Sequence, residues 1–329
     1  MAQLIILSWN IKDLNEAQVN DPEFIALVVK VIQQEGAQLV SLLETKSDKG
    51  KDLCAKLTAK LGNSWRSAYS GKSAPYSNKP ENYVFLWDSA VVAAGAASKF
   101  KFPDAQLPPI GFPNRHGNTA KKRPSRFPYI GEFKVSNTTF TCVTFHTTFT
   151  AVDIAEANQQ LAQINEVKNE PNVIIMGDFN DNPAKPRTYR GKTSFEDLLN
   201  VCKFRACITD KTSLCQAYLP SWTTTAHCRA SVYDNFFVKT AGDFSLLSAQ
   251  VIDLVDALMH GKYLSQHGRR LFNSWAKREN SIKSKKKNGW TMIPEFQAGE
   301  TIATIEDAHE VHWVAVSDHL PIRLEMTVK

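Results

Sequence analysis

Residues 172–180 read Asn-Val-Ile-Ile-Met-Gly-Asp-Phe-Asn, an apolar run that ends in a glycine followed by polar side chains. A short apolar run bounded by turn-forming residues is typical of a buried strand. Rigid scaffolds often display functional groups where a strand ends at the rim of a sheet. This stretch therefore predicts a buried strand that carries Asp178 and Asn180 to the edge of a sheet.

The same arrangement recurs along the chain. A single Asp or His after a strand is most often a turn or cap residue, but this sequence repeats the pattern with carboxylates, amides and imidazoles. We therefore predict that these strand ends meet in one site. The other clusters are Trp9-Asn10, Glu44-Thr45, Phe145-His146, Tyr233-Asp234-Asn235 and Ser317-Asp318-His319.

Hydrophobic patterning predicts an α/β protein in which strands outnumber helices. One helix is well delimited, because Asp21 is a suitable N-cap, Pro22 suits the first helical position and Gly36 ends it. Further helices are expected over residues 152–167 and 194–202. Strands are expected over residues 4–11, 38–45, 83–88, 129–135, 140–147, 172–180, 231–239 and 318–328.

Two segments differ from this pattern. Residues 102–128 are rich in proline and basic residues and are expected to form a long surface loop. Residues 241–315 have a mainly helical pattern over 245–279, followed by the lysine run at 283–287. We interpret residues 241–315 as a helical, lysine-rich insertion before the last strand, within a single domain of residues 1–329.

Composition restricts the classes of protein that need to be considered. The 329 residues are 43% hydrophobic, enough for a sizeable core, and no stretch approaches the roughly 20 apolar residues of a membrane span. Residues 1–8 are interpreted as the first strand, so the chain is expected to be cytoplasmic, or secreted with its signal peptide removed. The net charge of +6 is compatible with a polyanionic partner.

The six cysteines include no C-x-x-C pair, which argues against a structural zinc site. The four cysteines between residues 202 and 228 are able to form a disulfide in a secreted protein, whereas reduced buried thiols are the alternative.

The residue types at the strand ends match the needs of phosphodiester hydrolysis. Mg²⁺ or Mn²⁺ is held by oxygen ligands and neutralises charge on the phosphoryl oxygens. Histidines with carboxylate partners suit the proton transfers to and from water and the leaving oxygen. Amide side chains donate hydrogen bonds to transition-state oxygens.

The ordered set W-N, L-x-E-T, F-H, G-D-F-N, Y-D-N and S-D-H-x-P resembles the endonuclease/exonuclease/phosphatase superfamily, and deoxyribonuclease I within it. The resemblance runs from Trp9 to Pro321. Two further segments, Pro80-Glu81-Asn-Tyr83 and Arg126-Phe-Pro128, resemble deoxyribonuclease I in particular. The resemblance implies a four-layer α-β-β-α sandwich of two mixed, mainly antiparallel sheets.

The resemblance also implies roles for individual residues. Glu44 is expected to be the principal ligand of a Mg²⁺ or Mn²⁺ ion, helped by Asn10 and Asp318, and Ca²⁺ is an alternative as a structural ion. His146 and His319 are expected to flank the scissile phosphate as the acid/base pair. Their supporting carboxylates are expected to be Glu81 for His146 and Asp234 for His319.

The remaining roles concern water and substrate. Asp178 is expected to orient or deprotonate the attacking water, Asn180 to bind phosphoryl oxygens and Arg126 to contact substrate phosphate. Asn235 stands where deoxyribonuclease I has an arginine, which puts one phosphate contact in doubt. Trp222 either lines the substrate groove or is a buried structural residue. The six other histidines match no motif of the superfamily.

Three hypotheses for function follow. The first is a DNA endonuclease, with DNA favoured over RNA, because basic residues occur in several expected loops. The second is a phosphatase or phospholipase of the same superfamily, acting on phosphoinositides or sphingomyelin. The third, a binding protein with a decayed site, predicts losses among the catalytic residues that the sequence does not show. The basic residues are Arg115, Lys121, Lys122, Arg123, Arg126, Lys185, Arg187, Arg190 and Lys192.

Overall fold

Two mixed six-stranded sheets form the centre of the computed structural model, which describes residues 2–46, 49–71, 81–103, 126–147, 151–283 and 291–329. The strands are β1 (Ala2–Leu14), β2 (Leu39–Lys46), β3 (Trp65–Tyr69), β4 (Glu81–Asp88), β5 (Val92–Ala94), β6 (Tyr129–Val135), β7 (Thr138–His146), β8 (Val173–Asp178), β9 (Thr188–Tyr189), β10 (Lys192–Thr193), β11 (Arg205–Ala206), β12 (Asp234–Lys239), β13 (Phe244–Val251) and β14 (Ile322–Val328). The helices are α1 (Glu16–Asn20), α2 (Pro22–Gln34), α3 (Lys49–Leu61), α4 (Ala151–Leu161), α5 (Asn165–Asn169), α6 (Leu254–His260), α7 (Lys262–Lys283) and α8 (Ile305–Val311).

The first sheet has the order β13-β14-β1-β2-β4-β3, and the second has the order β11-β12-β8-β7-β6-β5. Each sheet contains one parallel pair, β1 with β2 and β7 with β8. The other pairs among the described strands of both sheets are antiparallel. Strands β9 and β10 form a separate two-stranded hairpin. The mainly antiparallel character that the sequence predicts is confirmed.

Three apolar clusters define the layers. The cluster between the two sheets includes Leu43, Phe85, Phe133 and Met176. A second cluster packs α2, α3 and the helices α6 to α8 on the outer face of the first sheet. A third packs α4 and α5 on the outer face of the second sheet. The predicted α-β-β-α sandwich is therefore confirmed.

Helix α2 begins as its sequence predicts. The Asp21 side chain accepts a hydrogen bond from the Glu23 backbone nitrogen at 2.9 Å, and Pro22 occupies the first turn. Gly36 follows the helix with a φ of 63°, in the left-handed region that favours glycine. The apolar stripe of α2 is buried against the first sheet, which joins the helix layer to the strands that carry the site.

Part of the helical pattern predicted over residues 245–279 is wrong. Residues Phe244–Val251 form β13, which pairs with β14 at the edge of the first sheet, and helices α6 and α7 begin only after it. The unpaired side of β14 supplies backbone partners that outweigh local helical preference. The register of β13 against β14 shifts between Leu246 and Ser248. This shift interrupts the alternation of side chains that is typical of a strand, so the sequence pattern does not indicate one.

Two other predicted helices also differ in the structure. The helix expected over residues 152–167 is divided into α4 and α5, and the one expected over 194–202 is a short π-helical turn, Asp197–Val201. The core of the predicted loop, residues 104–125, and residues 284–290 of the lysine-rich segment lie outside the described residues.

All six cysteines are free thiols, and Cys54, Cys142, Cys202 and Cys228 are buried. Within the described ranges, no helix combines the length and apolar character needed to cross a bilayer.

Candidate active site

The predicted strand ends meet at one edge of the sandwich. Strands β7 and β8 are parallel and paired at His146 and Asp178, while β12 is antiparallel to β8 with Asp234 opposite Asp178. His146, Asp178 and Asp234 therefore stand in one row across the second sheet. From the facing sheet, β1 and β2 bring Asn10 and Glu44 to the same edge.

Asn10 connects the two sheets. Its side-chain nitrogen donates hydrogen bonds to Glu44 Oε1 and to Asp178 Oδ2, each at 3.0 Å. Asn10 is fully buried, Asp178 almost so, and Glu44 is 8% exposed. A single amide thus holds two carboxylates of different sheets close together.

A bulge in β1 braces this amide and one of its carboxylates. The register shifts between Asn10 and Leu14, and Lys12 and Asp13 have φ values of 37° and 49°. The Lys12 backbone nitrogen donates to Asn10 Oδ1 at 3.0 Å, and that of Asp13 donates to Glu44 Oε2 at 2.9 Å. Glu44 itself has a φ of 61° at a register shift in β2. Such left-handed backbone outside glycine is often found at functional sites.

His146 is fully buried between carboxylates. Its Nδ1 lies 3.0 Å from Glu81 Oε2, and its Nε2 lies 3.2 Å from Glu44 Oε1 and 3.6 Å from Asp178 Oδ2. Burial lowers the pKa of His146 and Arg126 lowers it further, but Glu44 and Glu81 outweigh both and the pKa is raised. The imidazolium form is therefore favoured by its surroundings.

Arg126 reinforces Glu81. Its guanidinium donates to Glu81 Oε1 and to the Thr147 carbonyl oxygen. Burial raises the pKa of Glu81, but the charges of His146 and Arg126 outweigh it, and the pKa is lowered. Glu81 is consequently an anion that fixes the orientation of His146.

His319 forms the second histidine–carboxylate pair. Its Nδ1 lies 2.7 Å from Asp234 Oδ2, and its Nε2 lies 3.5 Å from Asp178 Oδ2. Burial lowers the pKa of His319, but Asp234 and Asp178 overcome this and raise the pKa well above its ordinary value. The indole of Trp9 donates to the His319 carbonyl oxygen at 3.0 Å, which fixes the loop before β14.

Asn180 lies beside these groups. Its backbone nitrogen donates to Asp178 Oδ1 at 2.8 Å, and its side-chain nitrogen reaches the Thr147 carbonyl oxygen at 3.5 Å. The structure thus brings together nine of the predicted site residues through direct contacts. They are Asn10, Glu44, Glu81, Arg126, His146, Asp178, Asn180, Asp234 and His319.

Three other predicted residues have different surroundings. Asp318 is at the site, but its Oδ2 pairs with Lys12 Nζ at 2.8 Å. Asn235 is fully buried, and its amide bonds with the backbone of Cys207 and Ile208, so it faces β11 and not the row of site carboxylates. We do not include Asn235 in the proposed site.

Trp222 is half-buried, and its ring contacts Tyr218 and His309 at centroid distances of 5.3 and 5.7 Å. These rings belong to the segment after β11 and to α8. Among the described residues, neither of these ring contacts joins Trp222 to the pairs formed by His146 and His319.

The donor atoms fit a divalent cation. One potential ligand atom from each of Glu44, His146 and Asp178 lies within 4.8 Å of the others, and Asp178, Asp234 and His319 form a second such group. Carboxylate oxygens from Glu44 and Asp178 are the hard ligands that Mg²⁺ and Mn²⁺ prefer. Two buried carboxylates sharing one amide also leave negative charge that a cation would compensate.

Two further residues support the site. The Thr212 hydroxyl accepts hydrogen bonds from the backbone nitrogens of Tyr233 and Asp234, at 3.1 and 2.9 Å. The Ser317 hydroxyl donates to the Asn10 carbonyl oxygen at 2.7 Å and thereby joins the loop before β14 to β1. Ser317 belongs to a recognisable motif, whereas nothing in the local sequence distinguishes Thr212.

Comparisons with known proteins indicate the family of the chain and agree with its fold. The sequence profile of the Endonuclease/Exonuclease/phosphatase family matches residues 7–235. No curated protein shows significant sequence similarity to the chain. Solved structures are similar in fold at low sequence identity.

One similar structure is the endonuclease/exonuclease/phosphatase from Bacteroides vulgatus, with 13% identity, a TM-score of 0.55 and complete coverage of both chains. A second is D. rerio TDP2 complexed with single-strand DNA product, with 13% identity, a TM-score of 0.51 and complete coverage of both chains. A third is a mannosyl-6-phosphatase from Bacteroides thetaiotaomicron, with 14% identity, a TM-score of 0.52 and coverage of 98% of this chain and 99% of that one. The chain belongs to the endonuclease/exonuclease/phosphatase family, whose members are divalent-metal-dependent hydrolases of phosphoester bonds.

Proposed function

We propose that this chain is a metal-dependent phosphodiesterase that cleaves DNA at internal positions. The observation that carries the proposal is the position of Asp178 between two imidazoles. Its Oδ2 lies 3.6 Å from His146 Nε2 and 3.5 Å from His319 Nε2, and each imidazole has its own carboxylate partner. This arrangement suits hydrolysis in which one side of a phosphate receives water and the other releases an alcohol.

We propose that Glu44 and Asp178 hold the cation, which we take to be Mg²⁺ or Mn²⁺, and that Asn10 positions them, since its nitrogen faces both carboxylates and its Oδ1 accepts from the Lys12 backbone. When bound, such an ion neutralises the charge that develops on the phosphoryl oxygens. Asn10 keeps the Glu44 and Asp178 carboxylates in fixed positions, so the chain needs little rearrangement to bind it.

The proton transfers are proposed to involve Asp178 and the two histidines. Asp178 orients the attacking water and accepts its proton, since its carboxylate is the acceptor common to both imidazoles. His319 and His146 flank the phosphate, where they supply a proton to the leaving oxygen or stabilise its charge. Asn180 donates its amide to a phosphoryl oxygen.

We propose that Arg126 contacts substrate only through guanidinium N–H groups that do not already donate to Glu81 or to the Thr147 carbonyl oxygen. Both terminal nitrogens of its guanidinium already donate within the protein. Its main part in the proposed site is to hold Glu81, and through Glu81 to hold His146.

A basic hairpin favours DNA as the substrate. We define the basic hairpin as residues 181–194, which begin directly after Asn180 and include β9 and β10. Its base is fixed, because Asp181 accepts from the Arg187 backbone and the Ser194 hydroxyl, and Gln159 donates to the Tyr189 and Lys192 carbonyl oxygens.

Two exposed cations of the basic hairpin, Lys185 and Arg190, form no ion pair with a carboxylate of the described residues. Arg190 lies 5.0 Å from the centre of the Tyr189 ring. Exposed cations in a hairpin that begins directly after Asn180 are suited to contact neighbouring phosphates of a nucleic acid, which supply most non-specific affinity. A sphingomyelin headgroup has no neighbouring phosphate of this kind.

The proposal is tested by incubating the full chain with supercoiled plasmid in the presence of Mg²⁺, with EDTA as the control. Parallel reactions measure phosphate release from inositol phosphates and headgroup release from sphingomyelin. We expect nicked and then linear plasmid with Mg²⁺, and no product with EDTA. Turnover of a monoester or of sphingomyelin without plasmid nicking would assign the site to the other phosphoesterase class.

A further inference from the structure

Lys12 forms an ion pair with Asp318, one of the carboxylates expected to hold a cation. The Lys12 ammonium lies 2.8 Å from Asp318 Oδ2 and 4.2 Å from the centre of the Trp313 ring. The side chains of Lys12 and Asp318 are only 35% and 24% exposed. A cation held by both a carboxylate and an aromatic face is more firmly placed than a lysine in an ordinary surface ion pair.

The backbone around Lys12 explains why the ammonium is held there. Lys12 and Asp13 form the left-handed bulge of β1, whose two backbone nitrogens bond to Asn10 and Glu44. The same bulge therefore fixes both the residues of the proposed cation site and the lysine beside them. Trp313 lies in the π-helical turn His312–Val316, directly before Ser317 and Asp318.

We propose that Lys12 keeps Asp318 from binding metal, so that the resting site takes one divalent cation, at Glu44 and Asp178, and the ammonium stands in place of a second. The proposal rests on the metal dependence in the proposed function. It assigns Lys12 as a positioning residue and Trp313 as the residue that holds it. The ligand of the resting site is a single hard divalent cation.

Charge accounts for the effect. The Asp318 carboxylate is neutralised by the ammonium, and a cation approaching it would be repelled by Lys12. The second group of potential ligands, Asp178, Asp234 and His319, is already engaged, because His319 Nδ1 pairs with Asp234 at 2.7 Å. Glu44 and Asp178, which share the Asn10 amide and lie beside His146 Nε2 as a third potential ligand, remain as the place where a cation gains most.

The test measures Mn²⁺ binding to the metal-stripped full chain by isothermal titration calorimetry, without substrate. In the wild type we expect one site, and we expect Asp318→Asn to change the dissociation constant by less than about twofold. Lys12→Gln releases Asp318, and we expect it to tighten Mn²⁺ binding roughly tenfold or to add a second site, a size typical of residues around metal ligands. In the Lys12→Gln background, Asp318→Asn should abolish that gain.

Matched variants keep the test specific. Lys46→Gln removes a lysine at the same edge whose nearest carboxylate is Asp13, at 3.7 Å, and it should leave Mn²⁺ binding unchanged. Trp313→Leu loosens the ammonium without removing its charge, and it should tighten binding by less than Lys12→Gln does. Circular dichroism of each variant confirms folding, and the Trp313 variant replaces Lys12→Gln if that variant does not fold.

A roughly tenfold loss of affinity in Asp318→Asn alone would overturn the proposal, as would Lys12→Gln with unchanged affinity and stoichiometry. Absence of Mn²⁺ binding in every variant would also overturn it. Because no substrate is present, a chain that binds Mn²⁺ as expected but leaves plasmid intact contradicts only the proposed nuclease activity.

Discussion

Gly177 lies beside Phe145 in the parallel ladder of β7 and β8, and a β-carbon on Gly177 would stand 2.0 Å from the Phe145 carbonyl oxygen. It would also stand 2.9 Å from Leu43 Cδ2 of the facing sheet. The φ of Gly177 is 141°, which side-chain-bearing residues rarely adopt. Close approach of both sheets just before Asp178 therefore depends on this glycine.

Gly177→Ala should destabilise the fold by about 3 kcal/mol or more, because both the backbone conformation and the contact with Phe145 are incompatible with a side chain. Urea denaturation followed by tryptophan fluorescence measures the change. Gly242→Ala is the matched control: its φ is 91°, but no atom lies within 4 Å of the added β-carbon. The control should lose only about 1–2 kcal/mol, and equal losses in the two variants would contradict the argument from contact.

His319→Ala should lower kcat by roughly 10²- to 10⁴-fold, and circular dichroism should show that the variant keeps its fold. The reason is that His319 is one of the two imidazoles that face Asp178. His260→Ala is the control, since that imidazole is 69% exposed and pairs only with Asp256 in α6. Near-normal plasmid nicking by His319→Ala would remove His319 from the proposed mechanism.

Lys185→Gln combined with Arg190→Gln should weaken DNA binding and make it less sensitive to salt. If each cation neutralises one phosphate of B-DNA, the slope of log K against log salt falls by about 1.8 in magnitude. Hydrolysis of bis(p-nitrophenyl) phosphate, which has no neighbouring phosphate, should not change.

The control for this pair is Lys134→Gln combined with Lys168→Gln, which removes one exposed lysine of β6, paired near the start of β7, and one exposed lysine of α5. Both pairs of substitutions lower the net charge equally. A similar loss of salt dependence in the control would show that total charge, and not the basic hairpin, determines binding.

His312 should make the fold less stable in mild acid. Burial lowers the pKa of His312 to about 4, while the Ser317 carbonyl and nearby carboxylates oppose this. In the unfolded chain a histidine has a pKa of about 6.5, so the unfolded state binds more protons once the pH falls below that value. Stability is therefore fully present above pH 6.5 and is lost between about 6.5 and 4, by on the order of 3 kcal/mol at the lower end.

His312→Asn removes the titrating group while retaining a nitrogen that can donate to the Ser317 carbonyl oxygen. Urea denaturation at a series of pH values gives the free energy of unfolding for both proteins. The wild-type value minus that of the variant should fall as the pH is lowered from 6.5 to 4. A difference that is constant with pH would show that His312 does not titrate between these states.

The layered fold and the convergence of the strand ends could be predicted because the important residues lie directly before or after buried apolar runs. Asp178 is an example: its position at the end of β8 follows from the sequence of residues 172–180. The sequence also indicates that Glu44, His146 and His319 belong together, through the motifs that resemble the superfamily. The motifs do not indicate how these residues contact one another. The position of Asn10 between Glu44 and Asp178, for example, is seen only in the structure.

Other features depend on contacts between distant parts of the chain. Lys12 is indistinguishable from a solvent-exposed lysine until the bulge of β1 brings it to Asp318, 306 positions later in the sequence. Thr212 supports Asp234 through backbone hydrogen bonds that no local pattern indicates. Strand β13 exists because β14 offers it a free edge, a tertiary effect that helical periodicity cannot reveal.

Strand β14 lies between β13 and β1, and Ala2 pairs with Val328 across β1 and β14. His319 lies three positions before the first residue of this strand. During translation, a nascent polypeptide that has not yet been extended this far lacks an imidazole of the site and leaves β1 with one unpaired side. The site is therefore complete only after residues 317–328 have been synthesised and β14 has paired with β1 and β13.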